Sequence, residues 1–256
     1  MKLLGIKIDA ISKEDAIAAL SKKQIIFTPN PEILLEARKN KHLRRALRKS
    51  TLNIPDGHGL QFVSTLLRLK KKWRRFALYL PALLVFLFWK KPFKREIPEV
   101  IHGSDFMNEV VKFAAKEGKK VFFLGAVDSV ARKTAAAFKQ KYPTLLIAGY
   151  SSKDPSFETV EMVMASGAEV LFVAYGAPKQ EIWIAKYLSR LSKLHTIMAV
   201  GGSFDFWSGS VQRAPKWMRK TGLEWLWRLC LQPKTRGKRI WRALISFPMI
   251  SFFASE

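Results

Sequence analysis

The chain has 256 residues, 48% hydrophobic and 25% charged, the composition of a folded globular protein, which excludes disorder on a large scale. Its 45 Lys and Arg against 20 Asp and Glu, a formal charge of +25, create a field that attracts phosphate: nucleic acid, anionic lipid or a diphosphate-bearing substrate. The single cysteine, Cys230, excludes an internal disulfide and a cysteine-only zinc site and fits a reducing cytoplasm. The four histidines have no metal-ligand spacing.

In chain order, residues 1–20 carry Asp9, Glu14 and Asp15 and no continuous apolar run. They read as part of the folded domain and not as a secretory leader. Short apolar runs then alternate with helical patterns. The expected strands are Gln24–Phe27, Thr51–Ile54, Val121–Leu124, Leu145–Ala148, Val170–Ala174 and Ile197–Val200, with helices near 12–20, 32–48, 104–117, 128–141, 156–166 and 179–193. Nearly all-apolar strands separated by helices indicate a mostly parallel sheet covered on both faces, a Rossmann-like α/β fold. Residues 1–212 are assigned to this domain.

Two segments break the alternation. Residues 64–98 place Arg68-Leu69-Lys70-Lys71-Lys72-Trp73-Arg74-Arg75 before the apolar run Phe76–Trp89 and Lys90-Lys91-Pro92-Phe93-Lys94-Arg95 after it, with no acidic residue from Ser64 to Arg95. The run is shorter than the ~20 residues of a spanning helix and contains Pro81. Its basic and Trp-bearing flanks suit an interfacial or re-entrant contact better than a buried core helix. The second segment, 213–256, interleaves cations with Trp217, Trp225, Trp227 and Trp241. That composition suits a helical, membrane-associating appendage, a nucleic-acid surface, or a helical hairpin packed on the domain.

The segments after the expected strands are Thr28-Pro29-Asn30, Asp56-Gly57-His58-Gly59, Gly125-Ala126, Gly149-Tyr150, Tyr175-Gly176-Ala177-Pro178-Lys179-Gln180-Glu181 and Gly201-Gly202-Ser203-Phe204-Asp205. In an open parallel sheet they share one edge, where ligands bind. Small residues there let backbone N–H groups approach phosphate or sugar, so Gly57, Gly125 and Gly176 are candidate substrate contacts. Walker-type and dinucleotide-binding glycine loops and the nucleophile-elbow motif are absent. So is an Asp-x-Asp pair of the kind that holds a metal against a nucleotide diphosphate. Arg, Lys and backbone N–H groups are expected to neutralise a bound diphosphate instead, with no cofactor and no metal.

At such an edge a carboxylate can deprotonate a substrate hydroxyl, while cations stabilise a departing diphosphate. Asp56, between Pro55 and Gly57 at a strand end, is the first candidate for that base; the alternative for it is an Asx turn or helix cap. Asp205 is the competing carboxylate, and Asp105, after Gly103-Ser104, ranks third as a helix-start residue. For the diphosphate the candidates are Arg213, Arg228, Arg236, Arg239 and Lys179.

The ordered set Thr28-Pro29-Asn30-Pro31-Glu32, Pro55-Asp56-Gly57-x-Gly59, Gly103-Ser104-Asp105, Gly176-Ala177-Pro178-Lys179-Gln180-Glu181-x-Trp183, Gly201-Gly202-Ser203-Phe204-Asp205, Arg213-Ala214-Pro215-x-Trp217 and Gly222-Leu223-Glu224-Trp225-Leu226-x-Arg228-Leu229 resembles the WecG/TagA/CpsF glycosyltransferase family. The resemblance covers nearly the whole chain except 64–98, which reads as an insertion foreign to the family pattern. It implies metal-independent, inverting transfer of N-acetylmannosamine or its uronic acid from a UDP donor to polyprenyl-diphosphate-linked N-acetylglucosamine. It further implies a C-terminal appendage that closes the site on the cytoplasmic face of the membrane, in cell-surface polysaccharide or teichoic-acid-type synthesis. By the same resemblance Asp56 is the general base, Thr28 and Asn30 line its pocket, Gln180 faces a sugar, and Arg213 and Arg228 fall within matched motifs. The pattern departs at Val100, where Arg is usual after Pro98-Glu99, and at Gln232-Pro233, where Glu-Pro is usual.

The expected partners are thus a UDP-sugar, a polyprenyl-diphosphate-linked acceptor and an anionic membrane surface, with no specific nucleic acid and a homo-oligomer left open. Two other readings stand beside this one: a nucleic-acid-binding protein using the basic surface, and a membrane-recruited sugar-binding protein without catalysis.

Overall fold

The computed structural model describes residues 1–127, 129–215, 218, 224–231, 237 and 240–254. A small hairpin, β1 (Lys2–Leu3) and β2 (Ile6–Lys7), opens the chain and precedes α1 (Lys13–Ala18). There follow β3 (Gln24–Phe27), α2 (Pro31–Lys39), α3 (Lys41–Arg48) and β4 (Leu52–Asn53). Next come α4 (His58–Leu67), α5 (Lys72–Ala77), α6 (Tyr79–Phe88) and α7 (Gly103–Lys116). The second half runs β5 (Lys120–Gly125), α8 (Ser129–Lys141), β6 (Leu146–Ser151), α9 (Phe157–Ala165) and β7 (Val170–Ala174). It continues through α10 (Lys179–Tyr187), β8 (Thr196–Ala199), α11 (Ser203–Trp207) and α12 (Glu224–Leu231). A π-helical turn, Arg242–Ser246, leads into α13 (Phe247–Ala254).

The main sheet has six strands in the order β4-β3-β8-β7-β5-β6, every pairing parallel. Side chains alternate between its faces, and both faces are dry. Ile25, Phe27, Phe122, Leu124, Leu171, Val173, Ile197 and Ala199 belong to one buried cluster. Ile26, Val121, Phe123, Val170, Phe172 and Met198 belong to the other. All six expected strands exist, and the α/β architecture with helices on both faces is the one observed.

Three local differences stand out. The expected helix 32–48 is two helices, because Asn40 leaves helical geometry (φ −101, ψ 103) and its Oδ1 accepts from the N–H groups of His42 and Leu43 at 3.0 and 3.1 Å. A side chain that offers the backbone this alternative ends one helix and caps the next. The helix expected over 179–193 stops at Tyr187. The β1–β2 hairpin was not expected; two-residue strands carry no readable alternation, yet Leu3, Ile6 and Ile8 are fully buried.

The C-terminal helix is built into the core. Phe247 and Phe252 are fully buried and join the same cluster as Phe27 and Leu34. Phe252 packs edge-on against Phe76 at 5.5 Å between ring centroids. The Tyr79 hydroxyl donates to the carbonyl of Leu244. Buried Arg75 ties three segments together, donating from Nε to Leu69 O at 2.8 Å, from Nη2 to Leu67 O at 3.2 Å and from Nη1 to Phe252 O at 3.2 Å. Among the described residues no helix is long and apolar enough to cross a membrane.

Replacing Arg75 by Met keeps the aliphatic packing but leaves those buried carbonyls without their charged donor. We expect a loss of about 2–4 kcal/mol in urea unfolding, with earlier proteolysis within α13. An unchanged midpoint would show that α13 docks without Arg75.

Candidate active site

The carboxyl ends of β3, β4, β7 and β8 open into a cavity of about 890 Å³. Thr28 and Asn30 follow β3, Asp56, Gly57 and His58 follow β4, Gly176 and Gln180 follow β7, and Gly201, Gly202 and Asp205 follow β8; all line it. The opposite wall comes from Leu83, Phe86, Leu87 and Lys90 of α6 and its exit, from His102-Gly103-Ser104 at the start of α7, and from Arg242-Ala243-Leu244.

Asp56 is held by the backbone. Its N–H donates to Pro29 O at 3.1 Å, which extends the β3–β4 pairing beyond the strand ends. Its Oδ1 lies 3.4 Å from His102 Nδ1, and both side chains are partly exposed to the cavity. Next to His102, Gly103 lies close against Thr28: a Cβ there would stand 3.1 Å from Thr28 Oγ1.

His58 begins α4, with its Nδ1 3.4 Å from Gln61 Oε1 and its ring edge-on to Phe86 and His102. Burial, joined by the charges of Lys90 and His102, pushes it down to about 4. It is therefore a neutral imidazole at pH 7. Burial also lowers Lys90 and raises Asp205.

Asn30 spends its Oδ1 on capping α2, accepting from Ile33 N–H at 3.0 Å. Gln180 is buried beside its neighbour: Nε2 donates to Glu181 Oε1 at 2.8 Å and Oε1 accepts from Gly201 N–H at 3.0 Å. Burial pushes the Glu181 carboxyl up. Gln180 thus fixes the β8 loop while bordering the cavity.

Gly125, Lys179 and Arg213 are not among the cavity's lining residues. Gly125 has φ 100 and would place a Cβ 2.9 Å from Ala174 C, so it allows close strand-end packing. Lys179 is exposed at the start of α10. Arg213 donates through Nη2 to Asp105 Oδ1 at 2.6 Å and Ser104 Oγ at 2.9 Å, with its guanidinium over Phe206. The side chain of Arg228, and residues Arg236, Arg239 and Trp217, lie outside the described residues.

Sequence reasoning placed none of His102, Lys90, Arg242, Glu32 and Glu36 in the site, yet all of them reach the cavity. Lys90 and Arg242 were hidden in long basic stretches, and His102 had only the adjoining Gly103-Ser104-Asp105 as a signal. Among the described residues no three His, Cys, Asp or Glu side chains are grouped to hold a metal ion.

The chain matches the family described as Glycosyl transferase WecG/TagA/CpsF family over residues 1–79 and 82–254. The chain belongs to that family. It is 33% identical over 231 residues to the N-acetylglucosaminyldiphosphoundecaprenol N-acetyl-beta-D-mannosaminyltransferase of Bacillus spizizenii strain W23, covering 89% of this chain and 77% of that protein. With the protein of the same description from Bacillus subtilis strain 168 it shares 31% over 226 residues, covering 88% and 76%.

The family match corrects one expectation about this glycosyltransferase. Residues 64–98 are not foreign to the family, because within them only Leu80 and Pro81 fall outside the match. The physical reason is visible in the core: the rings of Phe86 and Phe93 pack at a tilt against Phe62 of α4 at 5.1 and 5.7 Å, and all three belong to the same hydrophobic cluster as one face of the sheet.

The lowered His58 has a consequence for stability. Between its ordinary 6.5 and about 4 the unfolded chain holds a proton that the folded chain does not. The contribution is complete above pH 6.5 and is lost progressively as the pH falls toward 4, at no more than about 1.4 kcal/mol per pH unit. His58→Gln should flatten this part of a pH series of urea unfolding midpoints. An identical slope in the variant would remove His58 as its source.

Proposed function

We propose that this glycosyltransferase moves N-acetylmannosamine from a UDP donor to polyprenyl-diphosphate-linked N-acetylglucosamine, with inversion and without a metal, at the cytoplasmic face of the membrane. The observation that carries the chemistry is Asp56, fixed by backbone pairing at the cavity with His102 against one carboxylate oxygen. The relatives' descriptions supply the sugar and the lipid acceptor.

In this reading Asp56 takes the proton of the acceptor hydroxyl as that oxygen attacks the anomeric carbon of the donor. The bond from that carbon to the diphosphate oxygen breaks, and UDP departs with the bonding pair. His102 at 3.4 Å holds one oxygen of Asp56 and leaves the other for the acceptor. Lys90 and Arg242 border the same space and are the described cations placed to meet diphosphate charge. The cavity also carries Glu32 and Glu36 beside Arg242, whose Nη1 lies 4.0 Å from Glu32 Oε1. A substrate phosphate would therefore compete with Glu32 for Arg242.

Asp205 is the alternative base, and burial disfavours its ionised form. Paired variants separate the two. Asp56→Asn should lower kcat by about 10²–10⁴-fold with KM little changed, while Asp205→Asn retains most turnover. Full activity in Asp56→Asn, or loss only in Asp205→Asn, would move the base to Asp205.

The cations separate in the same assay. Lys90→Met should weaken donor or acceptor binding, seen as a higher KM, and Arg213→Met should act mainly through stability, because Arg213 is engaged by Ser104 and Asp105. A pure KM effect from Arg213→Met with unchanged melting would contradict that division.

A further inference from the structure

Helix α6 is apolar on every side, yet only part of it is covered. Tyr79 and Phe86 are buried, and Leu83 and Phe86 line the cavity with Lys90 just beyond. These positions, 79, 83, 86 and 90, form one helical stripe. The opposite stripe, Leu80, Leu84 and Phe88, is 62%, 54% and 90% exposed, and Trp89 beside it is 60% exposed. A helix that is hydrophobic all round is ordinarily enclosed by protein or lipid. An exposed apolar surface that continues past one helix marks an interaction site. Another exposed aromatic lies on the neighbouring elements: Phe253 of α13, 68% exposed, packs its ring 5.1 Å from Phe76 of α5.

The surroundings select the partner. Lys70, Lys71 and Arg74 precede α6 and Lys91, Lys94 and Arg95 follow it, all exposed. Trp73 and Trp89, at the two ends, are both exposed. A second copy of this chain would bring the same cationic flanks against each other, a repulsive arrangement. An anionic bilayer meets both demands, with hydrocarbon for the leucine stripe, phosphate for the flanks and the headgroup depth for the indoles. A helix of these ten residues is about 15 Å long, half the ~30 Å hydrocarbon core, so it lies in the interface plane.

We propose that α6 docks in the headgroup layer of an anionic membrane through Leu80, Leu84 and Phe88, so that one helix is at once the protein's lipid contact and a wall of its substrate cavity. The consequence for the site, which rests on the transferase reading above, is a route for the acceptor. Its diphosphate and sugar reach Asp56 along α6 while the isoprenoid stays in the bilayer, and the short distance across one helix replaces extraction of the lipid into water.

The partition measurement uses the whole chain and vesicles of phosphatidylglycerol and phosphatidylcholine, with no sugar donor present, so it stands or falls apart from the transfer reaction; turnover is read separately, with the donor added. The triple variant Leu80→Ser/Leu84→Ser/Phe88→Ser changes only exposed positions, and its melting curve confirms the fold. Its partition onto the vesicles should fall about tenfold or more, and what remains should vanish in high salt. Trp89→Ser is a second variant, expected to give a smaller loss. Turnover of a water-soluble, short-chain acceptor should be unchanged in the triple variant, while turnover of a vesicle-borne acceptor falls with the partition. Vesicle binding equal to that of the parent chain would overturn the proposal. So would a parent dimer in vesicle-free buffer that the substitutions dissolve while neither form binds vesicles.

Discussion

The pairing of β3 with β4 does not stop where the strands do. Ile54 N–H donates to Phe27 O at 2.9 Å and Asp56 N–H to Pro29 O at 3.1 Å, and Ile101 N–H then reaches Pro55 O at 3.3 Å. These three backbone bonds lay the Thr28-Pro29-Asn30 loop, the Pro55-Asp56-Gly57 loop and the entry to α7 side by side. The Asp56 carboxylate, the histidine against it and the threonine under Gly103 are all positioned by that extension. Its cost is local, for prolines at 29 and 55 can accept such bonds but cannot donate them. The donors are Ile54 and Asp56, on either side of Pro55, and Ile101 at the entry to α7. The rest of the sheet supplies the frame: parallel strands bring the β7 and β8 loops to the same edge, and Gln180 locks one to the other through Gly201.

Charge is distributed unevenly around this site. The chain carries +25, yet Glu32, Glu36, Asp56 and Asp205 line the cavity beside Lys90 and Arg242. The excess of cations lies largely elsewhere, including the flanks of α6. A field of this kind attracts anionic surfaces while the cavity itself keeps a lining of both signs. The arrangement also explains why counting cations in the sequence was a poor guide to the site: Arg213, within a matched motif, is engaged by Ser104 and Asp105, whereas Lys90, within a basic run, reaches the cavity.

Much of the fold was legible because strands buried on both faces must be apolar throughout; Val170–Ala174 and Gln24–Phe27 have the expected bounds. The loops after them were legible as a set, because parallel topology forces them to one edge whatever their individual sequences. What the sequence hid was tertiary. Nothing local in Leu3, Ile6 and Ile8 says that a two-residue hairpin closes one face. The apolar run of 64–98 has one side in the core through Phe86 and Phe93 and another in solvent through Leu80 and Phe88, a division that composition cannot express. His102 was unreadable because its role depends on a contact 46 positions away. Gly125 read as a phosphate contact and sits instead against the backbone of Ala174, since glycine serves close packing and ligand approach alike.

The central claim is that the cavity beneath Asp56 joins a UDP-activated sugar to a lipid-diphosphate sugar. Mass spectrometry of reactions offering a panel of UDP-sugars with a short-chain polyprenyl-diphosphate N-acetylglucosamine, with and without a metal chelator, tests it most directly. The account predicts addition of one N-acetylated hexosamine from UDP-N-acetylmannosamine, undiminished by the chelator. No glycosylated product from any UDP-sugar, with the fold verified in the same sample, would contradict it.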